Sequence, residues 1–171
     1  NALSIRSDRF NRMIVSHTFS NGKGVIEFDG PITEIGDYAF NNRRLLSAIH
    51  LPDCVTKLGY GVFADSEISS FRTPAQLTQV GSSCFSYCEN LAAFYGKYAS
   101  SDKKAIVLED GSMVAYAKAA LEERLEIPQG VKNLKSQLFD NCETIREVVL
   151  PEGLEMIGGA AFAHIKALKT I

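Results

Sequence analysis

Histidine and cysteine are the residues of this sequence whose side chains most readily bind metal ions or act as nucleophiles. A metal site needs several such ligands at short spacing, as in HxxxH or paired CxxC motifs. None of the three histidines, His17, His50 and His164, has a second ligand at such a spacing. The sequence therefore predicts no metal site, and we expect the histidines to be solvated side chains.

The four cysteines are too few and too irregularly spaced for a disulfide scaffold. Cys84 and Cys88 lie close together, but their segment is expected to pack inward and no histidine lies in register to activate a thiolate. Unpaired cysteine is among the most buried residue types. We expect four free thiols, since an intervening segment holds Cys88 and Cys142 farther apart than the ~7 Å Cα separation that a disulfide allows.

Two further patterns could take part in chemistry. Gly22-Lys23-Gly24 lacks the GxxxxGK(S/T) spacing that cradles a phosphate group. Glu122-Glu123 stands beside Arg124, which is typical of a solvated charged face and not of an acid and a base in a cleft. We therefore predict no catalytic residue, no cofactor and no enzymatic activity.

Composition argues against two classes of interaction. The formal net charge is −2 at pH 7 and the pI is near 5.9, whereas nucleic-acid-binding proteins usually concentrate a basic excess on one face. No apolar run reaches the about 18 residues that a membrane-spanning helix needs. With 46% hydrophobic residues, the chain can still bury a core. We expect a folded protein without a nucleic-acid partner or a membrane span.

Self-similarity is the strongest signal in the sequence. The unit Ile32-Thr33-Glu34-Ile35-Gly36 followed by Ala39-Phe40 recurs as Val55-Thr56-Lys57-Leu58-Gly59 followed by Val62-Phe63. Similar units begin at Leu77, Val131 and Leu154. The phenylalanines of the five units are separated by 23, 22, 54 and 23 residues, and they are Phe40, Phe63, Phe85, Phe139 and Phe162. Three of the four intervals equal one period within a residue, so a repeat protein is predicted.

A second element precedes each unit, in which apolar residues alternate and a proline often follows. Examples are Ile49-His50-Leu51-Pro52 and Val148-Val149-Leu150-Pro151. Such alternation predicts a short strand, and proline ends its hydrogen-bond ladder. One turn cannot bury its own apolar residues, whereas stacked turns share a core and place strands about 4.8 Å apart. The compact Gly-x-x-Ala-Phe segment of each unit is predicted to be a helical turn.

The repeat unit closely resembles the BspA-like leucine-rich repeats, from about Gly24 to Ile171. The resemblance rests on the Ile-Gly-x-x-Ala-Phe motif, the strand pattern, the period, and the cysteines Cys88 and Cys142. It implies an α/β solenoid, mostly β by content: a right-handed coil with short parallel strands on the concave side and short helical turns on the convex side. At the cysteine position the other units depart from the pattern, with Arg43, Ser66 and Ile165.

The same resemblance implies a location and a class of partner. BspA-like proteins occur largely on the surfaces of bacteria, particularly host-associated ones, and of some protozoa. This implies an extracellular or cell-surface protein whose repeats bind other proteins, in some members extracellular-matrix or plasma proteins of a host. The alternative is a structural spacer or a self-associating repeat segment of a larger surface protein.

An interruption and two end segments complete the predicted organisation. Asp110-Gly111 between apolar runs predicts a β-hairpin, because a type I′ turn needs positive φ at its centre. Asn21-Gly22 predicts a second hairpin at the amino end. The predicted order is an N-terminal capping segment over 1–24 that pairs with 25–28, repeats one to three over 25–95, an inserted hairpin rung over 96–124, and repeats four and five over 125–171 with an open C-terminal end.

Outward-facing side chains of the predicted strands supply the candidate ligand-binding residues. Successive side chains of a strand point to opposite faces, so Arg72 and Tyr95 should be exposed where Phe71 and Phe94 point inward. Arginine and tyrosine are enriched among residues that dominate interface energies. The candidate set on the concave face is His50, Ser70, Arg72, Tyr95, Glu126 and Glu147. The alternative is an ordinary surface that binds nothing.

Overall fold

A computed structural model describes residues 6–120 and 122–171 of the protein, so residues 1–5 of the predicted cap and residue 121 of the predicted hairpin rung lie outside the described residues. The fold is a β-solenoid of about five turns. The strands are Ile14–Ser20 (β1), Lys23–Phe28 (β2), Glu34–Ile35 (β3), Lys57–Leu58 (β4), Ser70–Arg72 (β5), Gln79–Val80 (β6), Ala93–Tyr95 (β7), Ala105–Val107 (β8), Ser112–Tyr116 (β9), Arg124–Glu126 (β10), Asn133–Leu134 (β11), Glu147–Val149 (β12) and Met156–Ile157 (β13).

Parallel ladders join equivalent strands of successive turns. One set of ladders contains β5 with β7 and β10 with β12; the other contains β3, β4 and β6, and then β9, β11 and β13. In register, Phe71 lies opposite Phe94 and Leu125 opposite Val148. These four side chains are all buried. Because the repeat period equals one turn, each apolar position of the sequence stacks on its equivalent and forms a continuous core column.

The segments around the repeat phenylalanines form a third ladder and are not helical. Their N–H groups donate to the next turn of the solenoid, as Phe63 N does to Cys84 O at 2.9 Å and Phe139 N to Ala161 O at 2.8 Å. An α-helix would use the carbonyl four residues back in the same segment. The predicted helical turns are therefore wrong: apart from 3₁₀ turns at Ser7–Arg9 and Lys118–Ala120, the described residues contain no helix.

Left-handed backbone conformations explain why no helix forms in these segments. Two positions in each segment have φ between 53° and 61°, which interrupts any right-handed helical path. They lie two and six residues after the position that is Gly36 in the first unit. This position is glycine in four units and lysine, Lys135, in the fourth. The ten residues are Tyr38, Asn42, Gly61, Asp65, Ser83, Tyr87, Gln137, Asn141, Ala160 and His164.

The antiparallel strands β8 and β9 separate two core clusters. Ile106 and Val114 pack with the first cluster, which belongs to the first three turns. Met113 and Tyr116 pack with the second cluster, which belongs to the last two. The Tyr116 ring lies 5.4 Å from that of Phe139, which in turn stacks on Phe162. The interruption of the repeat is thus an apolar partition that contacts both halves.

The amino-terminal segment covers the first turn. Strands β1 and β2 pair antiparallel around a turn at Asn21 and Gly22, which both have positive φ. Phe10 packs against Phe28 and Phe40, with ring centroids 5.0 and 5.9 Å away. These contacts bury one end of the first core cluster.

Candidate functional site

The strand face, which is the outward side of β5, β7, β10 and β12 together with Ala48 and His50, contains the predicted binding residues. Phe71 and Phe94 are 1% and 0% exposed, because they fill the core beneath β5 and β7. Arg72 and Tyr95, the next residue in each strand, are exposed, and Tyr95 is 43% exposed. The predicted alternation is therefore confirmed at these two strands.

Arg72 and Tyr95 are direct neighbours on this face. They are paired positions of the parallel ladder between β5 and β7. Their backbones therefore lie about 4.8 Å apart, the usual spacing of neighbouring strands. Among the described residues, Arg72 has no ion-pair partner. Its guanidinium group is free to donate hydrogen bonds to a ligand.

The structure places the other four predicted residues less uniformly. His50 is exposed, but the predicted strand around it is not formed. In the described residues, this segment contacts the next turn through a hydrogen bond from Ser69 N to Ser47 O at 3.2 Å. Ser70 is half-buried beside Arg72. Glu126 is exposed and Glu147 half-buried, both in the second half of the molecule.

Lys103 belongs to this surface and was missed by sequence reasoning. Its Nζ lies 5.2 Å from the centroid of the Tyr95 ring, and its carbonyl accepts a hydrogen bond from Phe94 N at 2.8 Å. The residue precedes β8, where the repeat period is interrupted, so periodicity could not assign its position. The neighbouring lysine pair Lys103-Lys104 was the only available signal.

Charged side chains in and next to β10 and β12 form ion pairs with one another. Arg124 Nε lies 3.1 Å from Glu126 Oε1, and Arg124 Nη1 lies 3.4 Å from Glu147 Oε1. Arg146 Nε lies 3.0 Å from Glu123 Oε1, and Lys104 pairs with Glu122. Exposed pairs of this kind contribute about 0–1 kcal/mol each, but they leave these cations less available to a ligand.

Three of the four thiols, those of Cys84, Cys88 and Cys142, are poor nucleophiles in this structure. All four cysteines are free, as predicted. Burial raises the pKa of the Cys142 thiol to about 11, and burial also raises the pKa values of the Cys84 and Cys88 thiols. The reactive thiolate is therefore disfavoured at neutral pH. Cys88 Sγ instead donates to Phe63 O at 3.1 Å, as a packing residue of the third ladder.

Two surface depressions occur among the described residues. A shallow groove of about 570 Å³ lies beside the N-terminal cap, between Asp8 and Asp29. A narrow slot of about 20 Å³ lies between the third and fourth turns, where Gln137 Oε1 accepts from Ser83 Oγ at 2.9 Å. No group of three metal-ligating side chains occurs in residues 6–120 and 122–171.

Comparison with known proteins explains the repeat. A family model described as a BspA type leucine rich repeat region, in six copies, matches residues 12–101 and 112–171. The chain belongs to the BspA-type leucine-rich repeat family. The unmatched residues 102–111 of this BspA-type protein include β8 and the turn that leads to β9, where the regular period is lost.

Two solved bacterial structures are similar to this BspA-type chain. A leucine rich cell surface protein from Faecalibacterium prausnitzii A2-165 is 25% identical, with a TM-score of 0.68 over 82% of this chain and 38% of the other. A leucine-rich repeat protein from Eubacterium ventriosum ATCC 27560 is 21% identical, with a TM-score of 0.60 over 81% of this chain and 44% of the other. The chain thus spans less than half the length of either. No curated protein matches it significantly.

Proposed function

We propose that this BspA-type protein is a non-enzymatic scaffold that binds a protein ligand through its strand face. The observation that carries the proposal is the exposed pair Arg72 and Tyr95, held side by side by buried Phe71 and Phe94. A rigid parallel ladder presents both side chains with little freedom to lose on binding. Arginine and tyrosine also supply large contact areas and hydrogen bonds at interface centres.

A cell-surface or secreted location belongs to the same proposal. It is supported by the family and by the Faecalibacterium prausnitzii neighbour, which is described as a cell surface protein. In the part of the chain that the structure describes, no helix is long and apolar enough to cross a membrane. The proposed ligands are accordingly extracellular proteins, including extracellular-matrix and plasma proteins of a host.

Binding measurements on the purified chain test this proposal. We expect saturable binding to at least one member of a panel of extracellular-matrix and plasma proteins. In the double variant Arg72→Ala and Tyr95→Ala, binding should weaken by more than about 2 kcal/mol, the scale of interface hot spots, with Tm nearly unchanged. Both side chains are exposed, so their removal leaves the core intact.

Two outcomes would count against this assignment. Absence of saturable binding across the panel would favour the alternative, a structural spacer or self-associating segment. Loss of binding together with loss of folding would mean that the variant damages the core and not the binding face. Arg44→Ala is the matched control, because this exposed arginine lies outside the strand face and pairs with Asp65.

A further inference from the structure

Charge is distributed unevenly along the strand face. The side chains over its first half are His50, Arg72, Tyr95 and Lys103, with no carboxylate at the outward positions of β5 and β7. The second half, with the residues next to its strands, carries four glutamates against three cations, namely Glu122, Glu123, Glu126, Glu147, Lys104, Arg124 and Arg146. The first half is therefore basic and the second half acidic, and the two halves belong to the separate β5–β7 and β10–β12 ladders.

The cations of the basic half are not neutralised within the protein. Among the described residues, neither Arg72 nor Lys103 has a carboxylate within ion-pair distance. Asp102 is the acidic residue nearest to Lys103 in the sequence. Its Oδ1 accepts hydrogen bonds from Ser100 Oγ at 2.5 Å and from Lys104 N at 3.0 Å. Arg72 and Lys103 thus keep their full donor capacity, in contrast to the paired Arg124.

The small outward residues and the strand spacing of the basic half suit the binding of an extended chain. Two residues before Arg72 and Tyr95, the outward positions hold the small residues Ser70 and Ala93. Ala48 occupies the corresponding place of the first turn. Arg72 and Tyr95 carry the larger outward side chains of the same two strands. An extended segment lying across the turns would meet successive strands every ~4.8 Å.

We propose that His50, Arg72, Tyr95 and Lys103, the basic patch, bind an acidic extended segment of the protein ligand. Carboxylates of the segment pair with the planar guanidinium of Arg72 and with the ammonium of Lys103. An apolar side chain of the segment packs on the exposed Tyr95 ring. This inference rests on the proposed function, because it specifies the chemistry of the ligand at the same face.

The charges favour an acidic protein segment over a polyanionic chain. A sulfated glycan or a nucleic acid is held by many cations along its length. The basic patch offers two permanent cations without carboxylate partners, and the net negative charge at β10 and β12 opposes a polyanion that extends further. The net charge of −2 also opposes general attraction of polyanions.

Fluorescence polarisation with labelled synthetic peptides tests the inference. The probe is a peptide of about eight residues that alternates pairs of glutamates with pairs of valines, so that each face of the extended chain carries both residue types. Its control replaces glutamate by lysine. We expect saturable binding of the acidic peptide alone, weakened about fivefold by Arg72→Ala and by Lys103→Ala and by added salt. Arg44→Ala should leave the affinity within about twofold, since this arginine lies outside the strand face and pairs with Asp65.

Several results would overturn the inference. They are no saturable binding of the acidic peptide, equal binding of the lysine peptide, an equal effect of Arg44→Ala, or tighter binding of a heparin oligosaccharide at the same patch. The proposed function is tested separately by competition. If a panel protein binds through Arg72 and Tyr95 but the acidic peptide does not displace it, the scaffold function stands and the acidic-segment inference fails.

Discussion

The side chain of Asn11 closes the exposed end of the first ladder. Its Oδ1 accepts hydrogen bonds from Thr33 N at 3.1 Å and Glu34 N at 3.2 Å. The backbone carbonyl of Thr33 does the same for Thr56 N and Lys57 N of the following turn, at 2.8 and 3.2 Å. One amide oxygen therefore stands in for the carbonyl of a preceding turn, as capping side chains do at helix ends.

We expect Asn11→Ala to destabilise the protein by about 1–2 kcal/mol, because two backbone donors lose their acceptor. Urea denaturation followed by circular dichroism measures the change. Asn11→Asp is the matched control, since it keeps the acceptor oxygen and should lie closer to the wild type. An alanine variant as stable as the wild type would show that water satisfies these donors equally well.

The phenylalanine stack is the element that ties the first three turns together. Phe63 is fully buried, and its ring centroid lies 5.7 Å from Phe40, 5.3 Å from Phe71 and 5.3 Å from Phe85. Removal of such a ring leaves a cavity that rigid ladders on both sides cannot close. The cost should therefore lie at the upper end for core substitutions.

Phe63→Ala should lower the free energy of unfolding by about 3–5 kcal/mol. Thermal melting and urea titration measure the effect. Phe19→Ala is the control, because the Phe19 ring is 47% exposed at the end of β1 and its loss should change stability by less than about 0.5 kcal/mol. A midpoint unchanged by Phe63→Ala would mean that the stacked rings contribute no core energy.

At the scale of the whole molecule, the two core clusters are coupled through the strands β8 and β9. Ile106 and Val114 contribute to one cluster, whereas Met113 and Tyr116 contribute to the other. Unfolding of either half alone would expose one apolar side of this partition to water. Neighbouring units of a solenoid that share such an interface unfold together when the interface energy is large.

We therefore expect a single unfolding transition for the whole chain. Phe63→Ala in the first cluster and Phe139→Ala in the second should shift the same transition, recorded by calorimetry and by far-ultraviolet circular dichroism. Two resolved transitions, each moved by one variant alone, would contradict this coupling. They would show that the partition separates the clusters energetically as well as in space.

Periodicity in the sequence determined the family, the stacking and the face on which Arg72 and Tyr95 lie. These features follow from the spacing of apolar residues, because a position that recurs once per turn must stack on itself and a strand must alternate its faces. The free state of the cysteines followed from the same spacing. The family resemblance then carried the expectation of protein binding.

Tertiary structure alone decided the form of the third ladder and the complete basic patch. Tyr38 and Gln137 have no intrinsic preference for positive φ, yet both adopt it, at 58° and 61°. In the regular stacks, backbone bonds between turns hold these segments out of the helical conformation that their local sequence predicts. Lys103 reaches Tyr95 only because the hairpin displaces the chain from its period. Contacts between turns are invisible to local sequence patterns, so they appear only when the turns are stacked.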